Sequence, residues 1–375
     1  MELLISEFIE QNNHWKDCIT QKPYCIEVKE KNEYTLLKYN QIESNFNIPL
    51  VRECRGIILR DKKIVCFPFR KFGNQGEGYA DDIDWASAKV LEKVDGSITK
   101  IWFDITWHIS TNGCIDAHDA DIPDWGSDCE YKNYYDLIEC ALKKYIKFDN
   151  LSDLDIIFKH VYTYIFEMVS PYTKVVVPYP EIDIYLIGIR NNITYEEEYI
   201  KEHELSTIFK TPKYYDIHSL DDCIAMTKEM PFSEEGFVVV DKYFHRNKIK
   251  SIAYLKIFRL KGEGVVTPKR MLELIQTNES GEFLAYFPEY TEMYNLYKSK
   301  YDKLIKYLDD SFANFWEISH RLKIVPCRQK RADHINKYYK CPDFMFKRYD
   351  KMIKDGLEYC STMRMENLVE LLKSF

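Results

Sequence analysis

The pattern of apolar residues changes once along this chain, near residue 262, and that change constrains the fold more than any other feature. Before it, short apolar runs alternate with turn residues. Ile57-Ile58-Leu59, Ile98 to Phe103, Trp107-His108-Ile109, Tyr162 to Val169, Ile182 to Ile189 and Phe237 to Val240 all have the length and the β-branched or aromatic character of strands. Between them Asn133 to Lys147 reads as a helix. Ser219 to Glu229 reads as another, with Ser219 a suitable N-cap and Asp221 and Asp222 at its positive end. After Lys261-Gly262-Glu263-Gly264, Thr267-Pro268 is a helix-start signal, and the pattern stays helical to Phe375. Tyr297, Tyr301, Leu304 and Leu308, then Phe312 and Phe315, recur at helix-face spacing. The expected fold class is therefore α+β. Antiparallel sheets and helices over 1–262 should enclose a pocket, followed by an all-helical domain over 263–375.

At 375 residues the chain is long enough for two cores. No apolar run approaches the roughly 20 residues of a membrane helix, and Met1-Glu2-Leu3-Leu4 lacks the basic start of a secretory signal. Eleven cysteines without a repeating spacing speak against a disulfide framework and for a reduced cytoplasm. Cys327, His334 and Cys341 match no common zinc spacing. The net charge of −8 argues against a general nucleic-acid binder, but affinity for phosphates depends on where the cations sit. Here Arg321, Lys323, Arg328, Lys330, Arg331, Lys337, Lys340, Lys347, Arg348, Lys351 and Lys354 crowd one stretch, against Asp333, Asp343 and Asp350. Tyr338, Tyr339, Phe344, Phe346 and Tyr349 are interleaved with them. Such a run suits RNA, and equally a solvated helical face with aromatics in the core.

Lys93-Val94-Asp95-Gly96-Ser97 carries the strongest chemical signal. A lysine amine can hold a nucleotide as a phosphoramidate, and an Asp-Gly turn can aim that amine into a pocket. Alone, the pattern is a common accident. Here Glu53-Cys54-Arg55-Gly56 and Lys71-Phe72-Gly73-Asn74 precede it, and Phe166-Glu167-Met168, Glu235-Gly236-Phe237-Val238-Val239 and Lys248-Ile249-Lys250-Ser251 follow. In this order and spacing the motifs resemble the covalent lysyl nucleotidyltransferases, with their ATP-grasp-like ligase domain. They are most similar to the bacteriophage RNA ligase 1 family, over about Tyr39 to Tyr254.

The resemblance implies an ATP-dependent RNA ligase, joining 5′-phosphate and 3′-hydroxyl ends through lysyl-AMP and RNA-adenylate, with RNA or tRNA repair as its setting. It assigns Lys93 as the nucleophile and Lys248 and Lys250 to the phosphates. Strand alternation puts these two on one face, with Ile249 in the core. Arg55, Lys71 and Tyr39 become further nucleotide contacts, and Glu167 a partner of the AMP ribose. Glu235 acts near the transferring phosphate and a metal, Mg²⁺ or Mn²⁺. Asp95, Gly96 and Gly236 shape the motifs, and Tyr254 places RNA or nucleotide. Lys93 must be neutral to attack, far below the reference value of ~10.4, and Lys248 and Lys250 are the expected source of the field that makes it so. One departure stands out: Asn112, in Ser110-Thr111-Asn112-Gly113, occupies a place that is usually basic. The helical tail shows no run of strands for the barrel of DNA ligases and capping enzymes. It is expected to choose the RNA, nicked tRNA included, in a monomer that needs no membrane. The alternatives are a DNA ligase or capping-type enzyme, and a degenerate RNA-binding module. The last would have lost one of the three lysines.

Overall fold

The structure is a computed structural model that describes residues 3–122, 129–262, 265–321 and 328–375. Glu263, Gly264, Lys323 and Cys327 lie outside the described residues. The chain forms two compact units, one ending at Arg259 and one from Leu260 onward.

The first unit begins with α1 (Leu4–Gln11), α2 (Trp15–Thr20), β1 (Ile26–Lys31), β2 (Tyr34–Tyr39), α3 (Pro49–Glu53), β3 (Arg55–Arg60) and β4 (Lys63–Cys66). The four strands pair antiparallel in chain order. Leu36 and Leu37 on β2 point to opposite faces, as period two requires, and both faces are covered. Leu37, with Ile57 and Leu59, packs against Ile5, Ile9, Trp15 and Ile19 of the N-terminal helices. Leu36, with Tyr34 and Ile58, packs against Trp102 and Ile115.

The chain continues through β5 (Lys89–Glu92), β6 (Ser97–Asp104), β7 (Thr106–Thr111), α4 (Tyr134–Leu142), β8 (Tyr162–Val169), β9 (Asp183–Asn191) and β10 (Glu197–Glu198). Then come β11 (Tyr214–Tyr215), α5 (Leu220–Glu229), β12 (Gly236–Val240), β13 (Arg246–Lys250) and α6 (Ile252–Lys261). Among the described residues these strands make two more antiparallel sheets, in the orders β10-β9-β8-β6-β7 and β11-β5-β12-β13. Helix α4 lays Leu137, Ile138, Ala141 and Leu142 on the apolar face that holds Tyr164, Phe166, Ile184 and Leu186. Cys223 of α5 joins Val90, Phe237, Val239 and Ile249.

Strand β8 has the expected bounds, and Ser219 caps α5 by accepting from the Asp222 N–H. The helix expected over Asn133 to Lys147 is shorter. Asn133 caps it, but it ends at Leu142, and the chain then turns through Lys143-Lys144-Tyr145. Leaving the helix there lets Ile146 and Phe148 reach the same core as Leu142.

In the second unit α7 (Pro268–Gln276) starts with Thr267 as its cap. It is followed by α8 (Ser280–Tyr286), α9 (Thr291–Arg321), α10 (Arg328–Tyr338), α11 (Pro342–Tyr349), α12 (Gly356–Thr362) and α13 (Met365–Leu372). Tyr301, Leu304, Leu308 and Phe315 are buried at the expected spacing on α9, in a core shared with Leu272, Phe344 and Leu368. Among the described residues this unit has no strand, and no helix in either unit is long and apolar enough to cross a membrane.

Candidate active site

Strands β5 and β6 belong to different sheets, and Lys93 to Gly96 is the segment that joins them. Backbone contacts to both sides fix it. The Lys93 N–H donates to the Gly236 carbonyl at 2.9 Å. Gly96 lies so close to β8 that a Cβ would be 2.3 Å from the Met168 carbonyl oxygen, so no side chain fits. Gly236 has φ +132°, and a Cβ there would be 2.2 Å from the Ile249 oxygen. Glycine alone meets both demands.

Asp95 is the fastening point of this segment. Its Oδ2 accepts from the Val176 and Val177 N–H groups at 2.9 and 2.8 Å, and its Oδ1 from the Tyr254 hydroxyl at 2.8 Å. The Tyr179 hydroxyl accepts from the Asp95 N–H at 3.3 Å. Tyr254 was expected to place RNA or nucleotide. Its hydroxyl donates to Asp95 and so ties α6 to the segment that carries Lys93. Burial pushes the Asp95 carboxyl up, and the two valine N–H groups pull it back.

The segment opens onto a cavity of about 540 Å³, within the usual range for small-molecule sites. Arg55, Lys93, Asp95, Gly96, Asn112, Glu167, Glu235, Lys248, Lys250 and Tyr254 line it, with Phe69, Phe72, Leu91, Ile187 and Val238 as apolar walls. Lys248 and Lys250 flank buried Ile249 on β13, as strand alternation requires. The Phe72 ring lies 5.2 Å from the Arg55 guanidinium and 5.3 Å from the Lys248 ammonium. Tyr39 and Lys71 are not in the lining. Lys71 is buried against the Tyr39 and Phe46 rings, at 4.7 and 4.2 Å, where cation–π attraction holds it.

The charges in the cavity correct one expectation. Lys93 Nζ donates to Glu235 Oε2 at 2.6 Å, and Lys250 Nζ lies 2.8 Å from Glu235 Oε1. Burial favours a neutral Lys93. Glu235 and Glu167 outweigh it and hold the amine above its ordinary value. The depressing field falls on Lys248 instead. Burial, then Arg55, Lys93, Lys71 and Lys250, bring it down to about 7. Burial raises Glu167 to about 7, against the pull of Lys93. For Glu235 burial is outweighed by Lys93 and Lys250, and its carboxyl sits below the ordinary value.

Both Glu235 oxygens thus face lysines, and no three His, Cys, Asp or Glu side chains gather into a metal-binding group among the described residues. A divalent ion fits beside Glu235 only where phosphate oxygens supply most of its ligands. Neither Asp95 as a fastening point nor the Lys93–Glu235 pair is marked by local sequence, because the partners are far apart in the chain.

Residues 53–254 match the RNA ligase family. An RNA ligase of Rhodothermus phage RM378 is 26% identical over 363 residues, covering 77% of this chain and 80% of the phage protein. A protein of Autographa californica nuclear polyhedrosis virus, described as a bifunctional polynucleotide kinase/RNA ligase, is 30% identical over 289 residues. That match covers 70% of this chain and 39% of the viral protein, so the chain spans well under half of it. Among solved structures, an archaeal ATP-dependent RNA ligase is 12% identical with a TM-score of 0.45, covering 69% of this chain and 68% of that one.

Proposed function

This chain belongs to the RNA ligase family, and from that premise we propose that it joins RNA 5′-phosphate and 3′-hydroxyl ends with ATP, through AMP carried on Lys93. In the first step the Lys93 amine, having lost its proton, attacks the α-phosphorus. The bond to the β-phosphate breaks, pyrophosphate leaves, and a phosphoramidate forms. The RNA 5′-phosphate then displaces the lysine and takes AMP. Finally the 3′-hydroxyl attacks that 5′-phosphorus, closing the phosphodiester and releasing AMP.

The observation that carries this reading is the surround of Lys93. A half-buried amine, paired with Glu235, faces a cavity that Arg55, Lys248 and Lys250 also line. Cations fixed before the substrate arrives stabilise the charge that builds on the α-phosphate. In this reading Glu167 accepts from a ribose hydroxyl. Glu235 releases Lys93 when a competing charge enters. Mg²⁺ or Mn²⁺ would arrive with the nucleotide, next to Glu235, and neutralise phosphate charge. Tyr39 and Lys71 reach the outer phosphates only if Lys71 leaves its aromatic box. The helical unit chooses among RNA substrates, nicked tRNA included, in the cytoplasm of an infected host.

Intact-mass spectrometry after incubation with ATP and Mg²⁺ tests the reading. The protein should gain the mass of one AMP, GTP should give no such gain, and Lys93→Ala should take up none. Full labelling of Lys93→Ala would sink the assignment.

A further inference from the structure

Four cations from four strands converge on the turn after β7. Lys29 of β1 donates to the Gly113 carbonyl at 2.8 Å. Lys38 of β2 lies directly opposite Arg55 of β3, and a Cβ on Gly113 would be 3.5 Å from its Nζ. Lys100 of β6 is fully buried and donates to the Gly56 carbonyl at 2.6 Å. A Cβ on Gly56 would lie 3.2 Å from Lys100 Nζ and 2.9 Å from Asn112 Oδ1. Among the described residues none of the four cations is in an ion pair. Glu27, opposite Lys38 across β1 and β2, does not bond to it.

Lys29 is exposed, but Lys38 and Arg55 are half-buried and Lys100 fully buried, and cations taken out of water without carboxylates are costly. Lys29 and Lys100 are at least satisfied by carbonyl oxygens. Lys38 Nζ and Arg55 Nη1 are not: among the described residues the first has no hydrogen-bond partner, and the second is buried without one. Asn112 Oδ1, against Gly56, is buried and unpartnered too. Its amide, turned by half a rotation, would present a donor. Arg55, Asn112, Gly113 and Lys248 all line the cavity that holds Lys93.

We infer that the Asn112-Gly113 turn is the floor of a phosphate subsite, in which Lys38 and Arg55 hold an anionic phosphate at the edge of the cavity. The inference rests on the nucleotide-transfer reading of that cavity. An anion with several oxygens satisfies both open donors, and the guanidinium fork fits phosphate geometry. Asn112 itself brings no charge, and β2 delivers it. The phosphate belongs either to the outer end of ATP or to the 5′ end of the RNA.

Full-length Lys38→Ala and Lys38→Arg separate these sources. One arm follows the rate of AMP labelling against ATP concentration. The other starts from protein already carrying AMP and follows transfer to 5′-phosphate RNA against RNA concentration. Lys38→Ala should raise the half-saturating concentration at least five-fold in one arm, with maximal rate and melting temperature unchanged, and Lys38→Arg should restore it. A shift in the ATP arm assigns the subsite to the nucleotide, and a shift in the RNA arm to the RNA end. Half-saturation unchanged in both arms, or an effect that Lys38→Arg does not rescue, overturns the subsite. If the parent takes up no AMP, the proposed function fails by itself. Calorimetry with inorganic tripolyphosphate and a 5′-phosphate oligoribonucleotide then tests the subsite alone. Binding weakened by Lys38→Ala upholds it, and equal binding overturns it.

Discussion

Glu235 holds two lysines with one carboxylate, and under the proposed function its contact with Lys93 would govern when that amine can attack. The contact keeps the Lys93 proton on above the ordinary lysine range. Glu235→Gln preserves shape and removes the pull, so the amine loses its proton more easily. The pH profile of AMP labelling should move to lower pH, whatever happens to the maximal rate. A profile that stays in place would mean Glu235 does not control the proton. Stability follows the same signs. The raised lysine contributes below its unfolded value and loses that as pH rises through the folded one. The depressed carboxylate contributes above its own unfolded value and loses that on acidification. Glu235→Gln should therefore cost stability across the neutral range. Lys248 behaves in the opposite sense. Its folded value of about 7 lies below the unfolded one, so its charge penalises the fold below pH 7, and the penalty fades as pH rises from there. Lys248→Met should raise the melting temperature at pH 6 by about 2 °C or more, the effect of roughly 1 kcal/mol. The same change should slow AMP labelling ten-fold or more, a barrier of about 1.4 kcal/mol. A variant that labels at the parental rate would remove Lys248 from the chemistry.

Strand β8 shows how an element becomes legible. Tyr162 to Val169 is an unbroken apolar and aromatic run, interrupted by Glu167, and its bounds can be read directly. Strands β1 and β2 escape the same reading because β1 alternates with Glu27, Lys29 and Lys31, which leaves a pattern like that of a loop. Helix α4 is overextended by periodicity, which cannot sense that Phe148 is needed in the core. The site divides the same way. Lys93, Lys248 and Lys250 are visible through their neighbours in sequence, whereas Tyr254 meets Asp95 across a separation of 159 residues. Helix α10 carries the testable part of the basic run. Arg328 and Lys330 are exposed, and Arg331 stacks over Tyr349 at 4.1 Å. Replacing all three with Ala should weaken RNA binding and flatten its logarithmic salt dependence by roughly 0.7 for each phosphate no longer neutralised. AMP labelling should not change. If filter binding at several salt concentrations shows no difference, α10 is a solvated face.

Each unit of the molecule has its own buried core, and the residues lining the cavity all precede Leu260. A chain ending at Gly262 keeps α6, and with it the Tyr254 bond to Asp95. It should still gain one AMP by intact mass while losing RNA affinity. Failure to label, in a truncated chain that melts cooperatively, would show that the chemistry needs the helical unit. The 159-residue span between Asp95 and Tyr254 has a further consequence. On the ribosome, Lys93 emerges long before Glu235, β13 and α6 exist to surround it. A nascent chain therefore exposes an ordinary surface lysine, with no pocket to hold ATP. Only after α6 has been synthesised and folded back can the amine acquire the reactivity proposed for it, so under that proposal the growing polypeptide stays chemically silent through most of its own translation.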